Sequence, residues 1–327
     1  MNQSVPFNGT PLLSLIVPCY NEQEVLPEFM RRVLPVLQAL PGMNYELVFV
    51  NDGSRDDTLD LLIGIAREHD YVRVVDLSRN FGKEAAMTAG IDEARGDVVV
   101  PFDADLQDPP EVIPKLVAKW REGFDVVIAR RVDRSSDTYL KRKSASLFYK
   151  FHNTISDIDL PENAGDFRLM SRDVVNALQR LTESRRFMKG LFAWVGFKTA
   201  IVEYTRQSRA AGKTKFSGWR LWNFALEGVT SFSTLPLRVW TYFGFVTAFA
   251  ALSYAAFMLI RTLIFGNPVP GYASIVTILL FLGGVQLIGI GVVGEYIGRI
   301  YIESKQRPVY LVQARYGIGE RAGRGGH

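Results

Sequence analysis

The sequence predicts an α/β domain of the parallel, doubly wound kind, followed by an amphipathic interfacial segment and a two-helix membrane hairpin. Three observations carry this. Short apolar, β-rich runs alternate with helical stretches through the first half of the chain. Two long charge-free runs follow near the C-terminus, and acidic residues cluster where the fourth apolar run ends. With 327 residues, 48% hydrophobic and 22% charged, the chain is long enough for more than one unit and too apolar for disorder.

The strand-like runs are Leu12 to Val17, Tyr45 to Val50, Val72 to Leu77, Asp97 to Phe102 and Phe124 to Ala129. Helical patterns lie between them, near Glu22 to Leu40, Asp56 to Glu68, Lys83 to Arg95 and Pro110 to Glu122. In such sheets ligands bind beyond the carboxyl ends of the strands, so the residues just after each run are candidates for the site. The first run ends in Pro18-Cys19-Tyr20-Asn21-Glu22, where Tyr20 can stack on a base and Asn21 can cap a helix with Glu24 completing the capping box. The second ends in Asn51-Asp52-Gly53-Ser54, and Asp52 is placed to accept hydrogen bonds from a base or ribose. Turn and capping chemistry explains each of these residues equally well when taken alone.

The fourth run ends in Asp103-Ala104-Asp105-Leu106-Gln107-Asp108. In an extended chain Asp103, Asp105 and Gln107 point to one side, and such hard oxygen ligands suit Mg2+ or Mn2+ held against a diphosphate. Two basic clusters answer this acidic one. Arg130, Arg131, Arg134, Lys141, Arg142, Lys143 and Lys150 follow the fifth run, and Arg206, Arg209, Lys213 and Lys215 precede the membrane segments. A solvated helix face is the ordinary reading of such runs, and an anionic headgroup or phosphorylated lipid is the alternative.

Trp219 to Leu237 mixes tryptophans and aliphatic residues with Arg220 and Glu227, a pattern that favours the membrane interface. From Val239 to Ile260 there are 22 residues without a charge. As a helix this run reaches about 33 Å, enough for a hydrocarbon core of about 30 Å. The break Gly266 to Gly271 then separates a second charge-free run, Tyr272 to Gly294. The organisation expected is a catalytic domain over 1–216, an interfacial segment over 217–238, a hairpin over 239–298 with spans near 239–262 and 272–295, and a C-terminal segment over 299–327. Basic residues flank the hairpin outside its loop, which places both termini in the cytoplasm. The glycines of the second span suit helix packing, within the hairpin or between copies, and the stretch from Gly317 to His327 reads as a mobile tail.

The formal charge of +4 and pI near 9.1 fit an anionic partner, but no nucleic-acid module is recognisable and none is expected to bind. Cys19, the single cysteine, excludes an internal disulfide and reads as a buried thiol. The first residues lack a basic leader and cleavage site, so no removed signal peptide is expected.

The motifs VPCYNEQE, VNDGSRDDT, SRNFGKEAAMTAG, DADLQDPPE, NAGDFRLMSR, the RQSRAAGKTKFSGWR segment and GVVGEYIGRIYIESKQRP occur in this order along nearly the whole chain. Together they resemble family 2 glycosyltransferases of the polyprenyl-phosphate type. That group contains dolichyl-phosphate mannose synthase and the bacterial bactoprenol glucosyltransferases of O-antigen modification, and the glucosyltransferase branch is the nearer likeness. The resemblance implies a GT-A (Rossmann-like) domain, with Pro18, Tyr20, Asn21, Glu22, Asp52, Lys83, Asp103, Arg209 and Lys215 at the nucleotide-sugar donor. It puts Asp103, Asp105 and Gln107 at Mg2+ or Mn2+, Arg130, Arg131 and Arg142 at the acceptor phosphate, and Asp166 with Asp105 at the reacting centre. The reaction it implies is inverting transfer of glucose from UDP-glucose to undecaprenyl or another polyprenyl phosphate. It also implies a multi-pass protein of the bacterial inner membrane, with its catalytic domain cytoplasmic, assembled as a homo-oligomer of tetramer type. A phosphate monoester, with a second pKa of about 6, is already largely ionised at pH 7, so Asp166 is expected to position rather than to act as base. Transfer of a mannose or amino-arabinose type sugar stays open within the family, as does a non-catalytic membrane scaffold outside it. Two spans are few for a polymer channel, which argues against a processive synthase.

Overall fold

The computed structural model describes residues 9–132, 164–181, 183, 188–205 and 271–317, with scattered positions between 240 and 265. The expected interfacial segment, 217–238, and the basic residues Arg142, Arg209 and Lys215 lie outside the described residues.

The five apolar runs form β1 (Leu12–Cys19), β2 (Asn44–Asn51), β3 (Val72–Leu77), β4 (Val98–Pro101) and β5 (Val126–Arg131). Parallel pairing of β1 with β2 and β4, and of β2 with β3, makes a central block of the predicted kind. Helices α1 (Leu26–Gln38), α2 (Thr58–Glu68) and α4 (Ile113–Arg121) cover one face, where Leu13, Leu15 and Val17 meet Phe29, Val33, Leu62 and Leu116. A 3-10 turn, Pro110–Val112, leads into α4. On the other face α3 (Lys83–Glu93), α5 (Arg172–Gln179) and α6 (Met188–Trp194) bury Ile16 and Val99 under Met87, Ile91, Val175 and Leu191. Burial on both faces is why these strands read as continuous apolar runs.

The sheet is mixed, which corrects the all-parallel expectation. Its eight strands run β7-β5-β6-β4-β1-β2-β3-β8. β6 (Ala164–Ser171) lies antiparallel between β4 and β5, β7 (Thr199–Tyr204) is parallel to β5, and β8 (Val312–Gly317) is antiparallel to β3. The direction of β6 follows from where it must end. Ser171 sits opposite Val98 at the start of β4, and the next residue, Arg172, fixes the entry of α5 by donating from its guanidinium to the carbonyls of Gly96 (2.9 Å) and Ala94 (3.0 Å). Gly317, read from sequence as part of a mobile tail, closes β8, and residues 318–327 lie outside the described residues.

Helix α7 (Tyr272–Ser304) is 33 residues long and continues past residue 295, where the second span is expected to end. At about 50 Å it exceeds a hydrocarbon core of about 30 Å, so the turns carrying Glu295, Arg299 and Glu303 continue beyond the apolar part. Ile278, Leu279, Phe281, Leu287, Ile288 and Ile290 are exposed along it, an arrangement that lipid tolerates and water does not. Among the described residues one helix, over Phe281–Ser304, is long and apolar enough to cross a membrane. The described positions between 240 and 265 are helical, and Trp240 stands against Gly289, where an added Cβ would fall 1.9 Å from the indole nitrogen.

Gly90 sets the approach of α3 to the sheet, since a Cβ there would lie 2.1 Å from Cγ2 of Ile16 and 3.3 Å from Val50. Gly90→Ala gains about 1 kcal/mol of helix propensity but overpacks a filled interior at about 1–3 kcal/mol. The net expectation is a lower midpoint of thermal unfolding for Gly90→Ala than for wild type, read by circular dichroism in detergent.

Candidate active site

Four connections at the carboxyl edge of the sheet converge on one cleft of about 400 Å³. It is lined by Pro18, Tyr20 and Glu22 after β1, Asp52 after β2, Asn80, Gly82 and Lys83 after β3, and Asp103 and Asp105 after β4. The loops after β1 and β2 are laced together. Asn21 accepts from the Arg55 amide (2.9 Å) and its own amide donates to Ser54 Oγ (3.0 Å), while the Glu22 amide donates to Thr58 Oγ1 (2.8 Å). This corrects the expectation that Asn21 caps α1. Its backbone is left-handed (φ 55°), and α1 starts after Val25 with no side-chain cap. Gly53 (φ 63°) permits the next step, because a Cβ there would lie 2.4 Å from the Arg79 carbonyl carbon.

Asp52 organises the loop after β3. It is 3% exposed and accepts from the amides of Phe81 (2.7 Å) and Gly82 (2.9 Å). Burial raises its pKa, against the lowering effect of those two amides and Arg79. Asn80 and Gly82 also line the cleft, although neither is a residue expected at the site from the sequence. Their signal was the run Ser78-Arg79-Asn80-Phe81-Gly82 directly after β3.

The acidic segment is not extended. Ala104 and Asp105 form a turn, and Leu106 is left-handed (φ 52°). The expected alternation of Asp103, Asp105 and Gln107 toward one side is therefore replaced by a local hairpin of contacts. The Gln107 amide donates to Asp105 from its backbone at 3.1 Å and also from its side chain. Gln107 is not among the lining residues, and among the described residues no three acidic, histidine or cysteine side chains are gathered as metal ligands. Asp103 and Asp105 nonetheless suit a magnesium-like ion, which takes one or two carboxylates and completes its shell with water and substrate oxygens.

Lys83 occupies the heart of the cluster. Its Nζ lies 2.6 Å from Asp103 Oδ1 and 3.0 Å from Asp166 Oδ2, so the ammonium joins the end of β4 to β6. Burial disfavours its charge, but Asp103 and Asp166 outweigh that and raise its pKa. The structure thus brings Asp166 and Asp103 to the same cation. Arg168, beneath it, is buried with its guanidinium 4.1 Å above the Phe192 ring. Arg130 and Arg131 end β5 and are not among the residues that line this cleft, with Arg130 paired to Glu203 on β7.

Residues 14–179 match the family described as Glycosyl transferase family 2, and residues 235–300 match the GtrB C-terminal hairpin. The molecule is an enzyme of the glycosyltransferase class, with an α/β, GT-A-like fold. It belongs to glycosyl transferase family 2, which also includes dolichyl-phosphate mannose synthase. The chain is 56% identical to the bactoprenol glucosyl transferase of Shigella phage SfV, over 92% of this chain and 98% of that one. It is 54% identical to the prophage bactoprenol glucosyl transferase homolog of Escherichia coli K12, again over 92% and 98%. An uncharacterized glycosyltransferase of Synechocystis is 52% identical over 94% and 96%.

Glu22 reports the charge balance of the cleft. Burial first, then Asp105, Asp103 and Asp56, raise its pKa to about 7. A carboxyl whose folded pKa exceeds its unfolded value costs no stability below the unfolded value, and the cost grows as pH rises to the folded value. In the presence of a chelator, Glu22→Gln is expected to raise the unfolding midpoint at pH 8, by on the order of 2 kcal/mol of stability, and to leave it unchanged at pH 4. Thermal denaturation at the two pH values checks this.

Proposed function

We propose that the protein transfers glucose from UDP-glucose to a polyprenyl phosphate of the undecaprenyl type, with inversion, at the cytoplasmic face of a bacterial inner membrane. The observation that carries this reading is the join between membrane helix and cleft. Ser304 ends α7 and Val312 begins β8, a separation of at most roughly 28 Å of chain. β8 enters the sheet beside Leu77, and the Ser78 amide donates to the Leu311 carbonyl (2.9 Å), two residues before the cleft-lining Asn80. The edge that carries the cleft is therefore the edge at which the membrane helix delivers its chain, as transfer to a lipid phosphate requires. The names of the full-length relatives support bactoprenol as lipid and glucose as sugar.

In this reading residues 1–216 form the cytoplasmic catalytic domain, 217–238 lie in the interface and 239–298 form the hairpin, with Trp240 on Gly289 as one of its contacts. Both termini are cytoplasmic, the assembly is a homo-oligomer of tetramer type, and the product serves O-antigen modification. Tyr20, Asn21, Glu22, Asp52 and Pro18 hold the uridine side of the donor, and Lys83, Asp103, Arg209 and Lys215 its diphosphate. Arg130, Arg131 and Arg142 serve the acceptor phosphate. Asp103 and Asp105 would hold Mg2+ or Mn2+, which would supply charge neutralisation for the departing diphosphate.

A lipid phosphate oxygen attacks the anomeric carbon as the bond to UDP breaks, and UDP leaves with the bonding electron pair. No proton needs removal, because the acceptor is ionised at pH 7. Asp166 is salt-bridged to Lys83 at 3.0 Å. Its contribution is to position Lys83 and the reacting groups.

The direct test supplies full-length protein in lipid vesicles with labelled UDP-glucose, undecaprenyl phosphate and Mg2+ or Mn2+. Label is expected to enter the lipid as UDP is released, and chelation is expected to stop both. No transfer from UDP-glucose, with transfer from another nucleotide sugar, would move the proposal to that sugar. Failure with every donor would remove it. Asp166→Asn is expected to lower kcat by about a hundredfold or more while the pH–rate profile keeps its shape. An ionisation that vanishes with Asp166 would make it a base instead.

A further inference from the structure

The ammonium of Lys83 holds a place that chemistry would give to a metal ion. It is the first residue of α3, at the positive end of the helix dipole, where a cation costs stability unless something else requires it. The requirement is visible in its contacts with Asp103 and Asp166 at 2.6 and 3.0 Å, which tie two elements distant in sequence. The side chain is nonetheless 44% exposed, so its long stem is free to swing toward the cleft.

We propose that Lys83 is a built-in counter-ion that offsets part of the negative charge of the metal site in the empty enzyme and is exchanged from Asp103 to the donor diphosphate when cation and nucleotide bind. This rests on the glycosyltransferase reading above and adds to it a residue that makes metal and nucleotide binding interdependent. A divalent cation and the ammonium compete for the same Asp103 oxygens and repel each other. Metal alone must displace Lys83 and leave it without that partner, whereas metal with UDP offers the ammonium a new anion. Each ligand therefore strengthens the other by the same factor. The position of Lys83 one residue after the cleft-lining Gly82 gives it reach to the diphosphate side without moving the helix.

Mn2+ binding is measured by electron paramagnetic resonance on full-length protein in detergent, with and without UDP, for wild type, Lys83→Met and Lys83→Arg. Removing the competing ammonium is expected to tighten Mn2+ binding about tenfold without nucleotide, the scale of a partly exposed ion pair or two. The gain in Mn2+ affinity on adding UDP is expected to shrink in Lys83→Met and to persist in Lys83→Arg. Should Lys83→Met not fold, Lys83→Gln carries the same comparison. Unchanged or weaker Mn2+ binding by the neutral variant would overturn the proposal, and so would an unchanged UDP effect. Absence of Mn2+ binding in every protein would overturn it too. UDP-glucose turnover by wild type, assayed separately, then decides whether the glycosyltransferase reading stands without it.

Discussion

Carboxylates converge at the carboxyl edge of this sheet, and like charges in one cleft must be offset before anything else there can be arranged. Glu22 follows β1, Asp103 and Asp105 follow β4, and Asp166 lies on β6; the Lys83 ammonium links Asp103 to Asp166. The rest of the local architecture serves that meeting. Asp52 holds the loop that delivers Lys83, through the amides of Phe81 and Gly82. Gly53 lets that loop approach, and Gly90 lets α3 lie close enough to the sheet for its first residue to reach β4 and β6. Burial first, and then the uncompensated charge of Asp105, Asp103 and Asp56, raises the Glu22 pKa to about 7.

The opposite edge of the sheet solves a different problem with the same residue types. Ser14 donates to Glu46 at 2.5 Å, Arg73 meets Glu93 at 3.2 Å, and Arg315 of β8 meets Glu93 at 2.6 Å. These charges are paired within the protein, Glu46 and Arg73 in its interior and Arg315 at the surface, as expected of ionic groups with a structural part. Tyr310 donates to Asp92 just before β8 begins. The last ordered strand is thus fastened by both backbone and side chains to the domain that carries the cleft, although it arrives from the apolar helix. One chain serves two solvents, and β8 joins them.

Much of this was legible in the sequence, and the omissions have physical causes. β1 to β5 announce themselves because both faces are covered and each run is apolar throughout. β8 does not, since in Val312–Gly317 only alternate residues are sheltered and Gln313 and Arg315 face outward. β6 carries Asp166 and the buried Arg168 and so lacks an apolar run, although it is central to the mixed sheet. In the site, residue types after the strands identified Tyr20, Glu22, Asp52, Asp103 and Asp105, all of which line the cleft. Local conformation misled twice. Asn21 looks like a helix cap but ties two loops, and the acidic segment looks extended but turns at Ala104 and Asp105. Both errors pass through a non-glycine residue with positive φ, Asn21 and Leu106, which periodicity does not reveal.

The sign of the cleft constrains the chemistry more tightly than any single residue. Among its described lining residues, Glu22, Asp52, Asp103 and Asp105 oppose Lys83 alone. A nucleotide diphosphate brings further negative charge, and a lipid phosphate brings more. Partial protonation of Glu22 near pH 7 relieves only a fraction of one charge. Two anions therefore react here only if positive charge enters with them or is supplied from basic segments outside the described residues. In the proposed function a divalent cation held by Asp103 and Asp105 would meet that need where the leaving group departs, and Arg209 and Lys215 would supply more of it. On this account the barrier falls by bringing two phosphates together against their repulsion, and a proton acceptor contributes little.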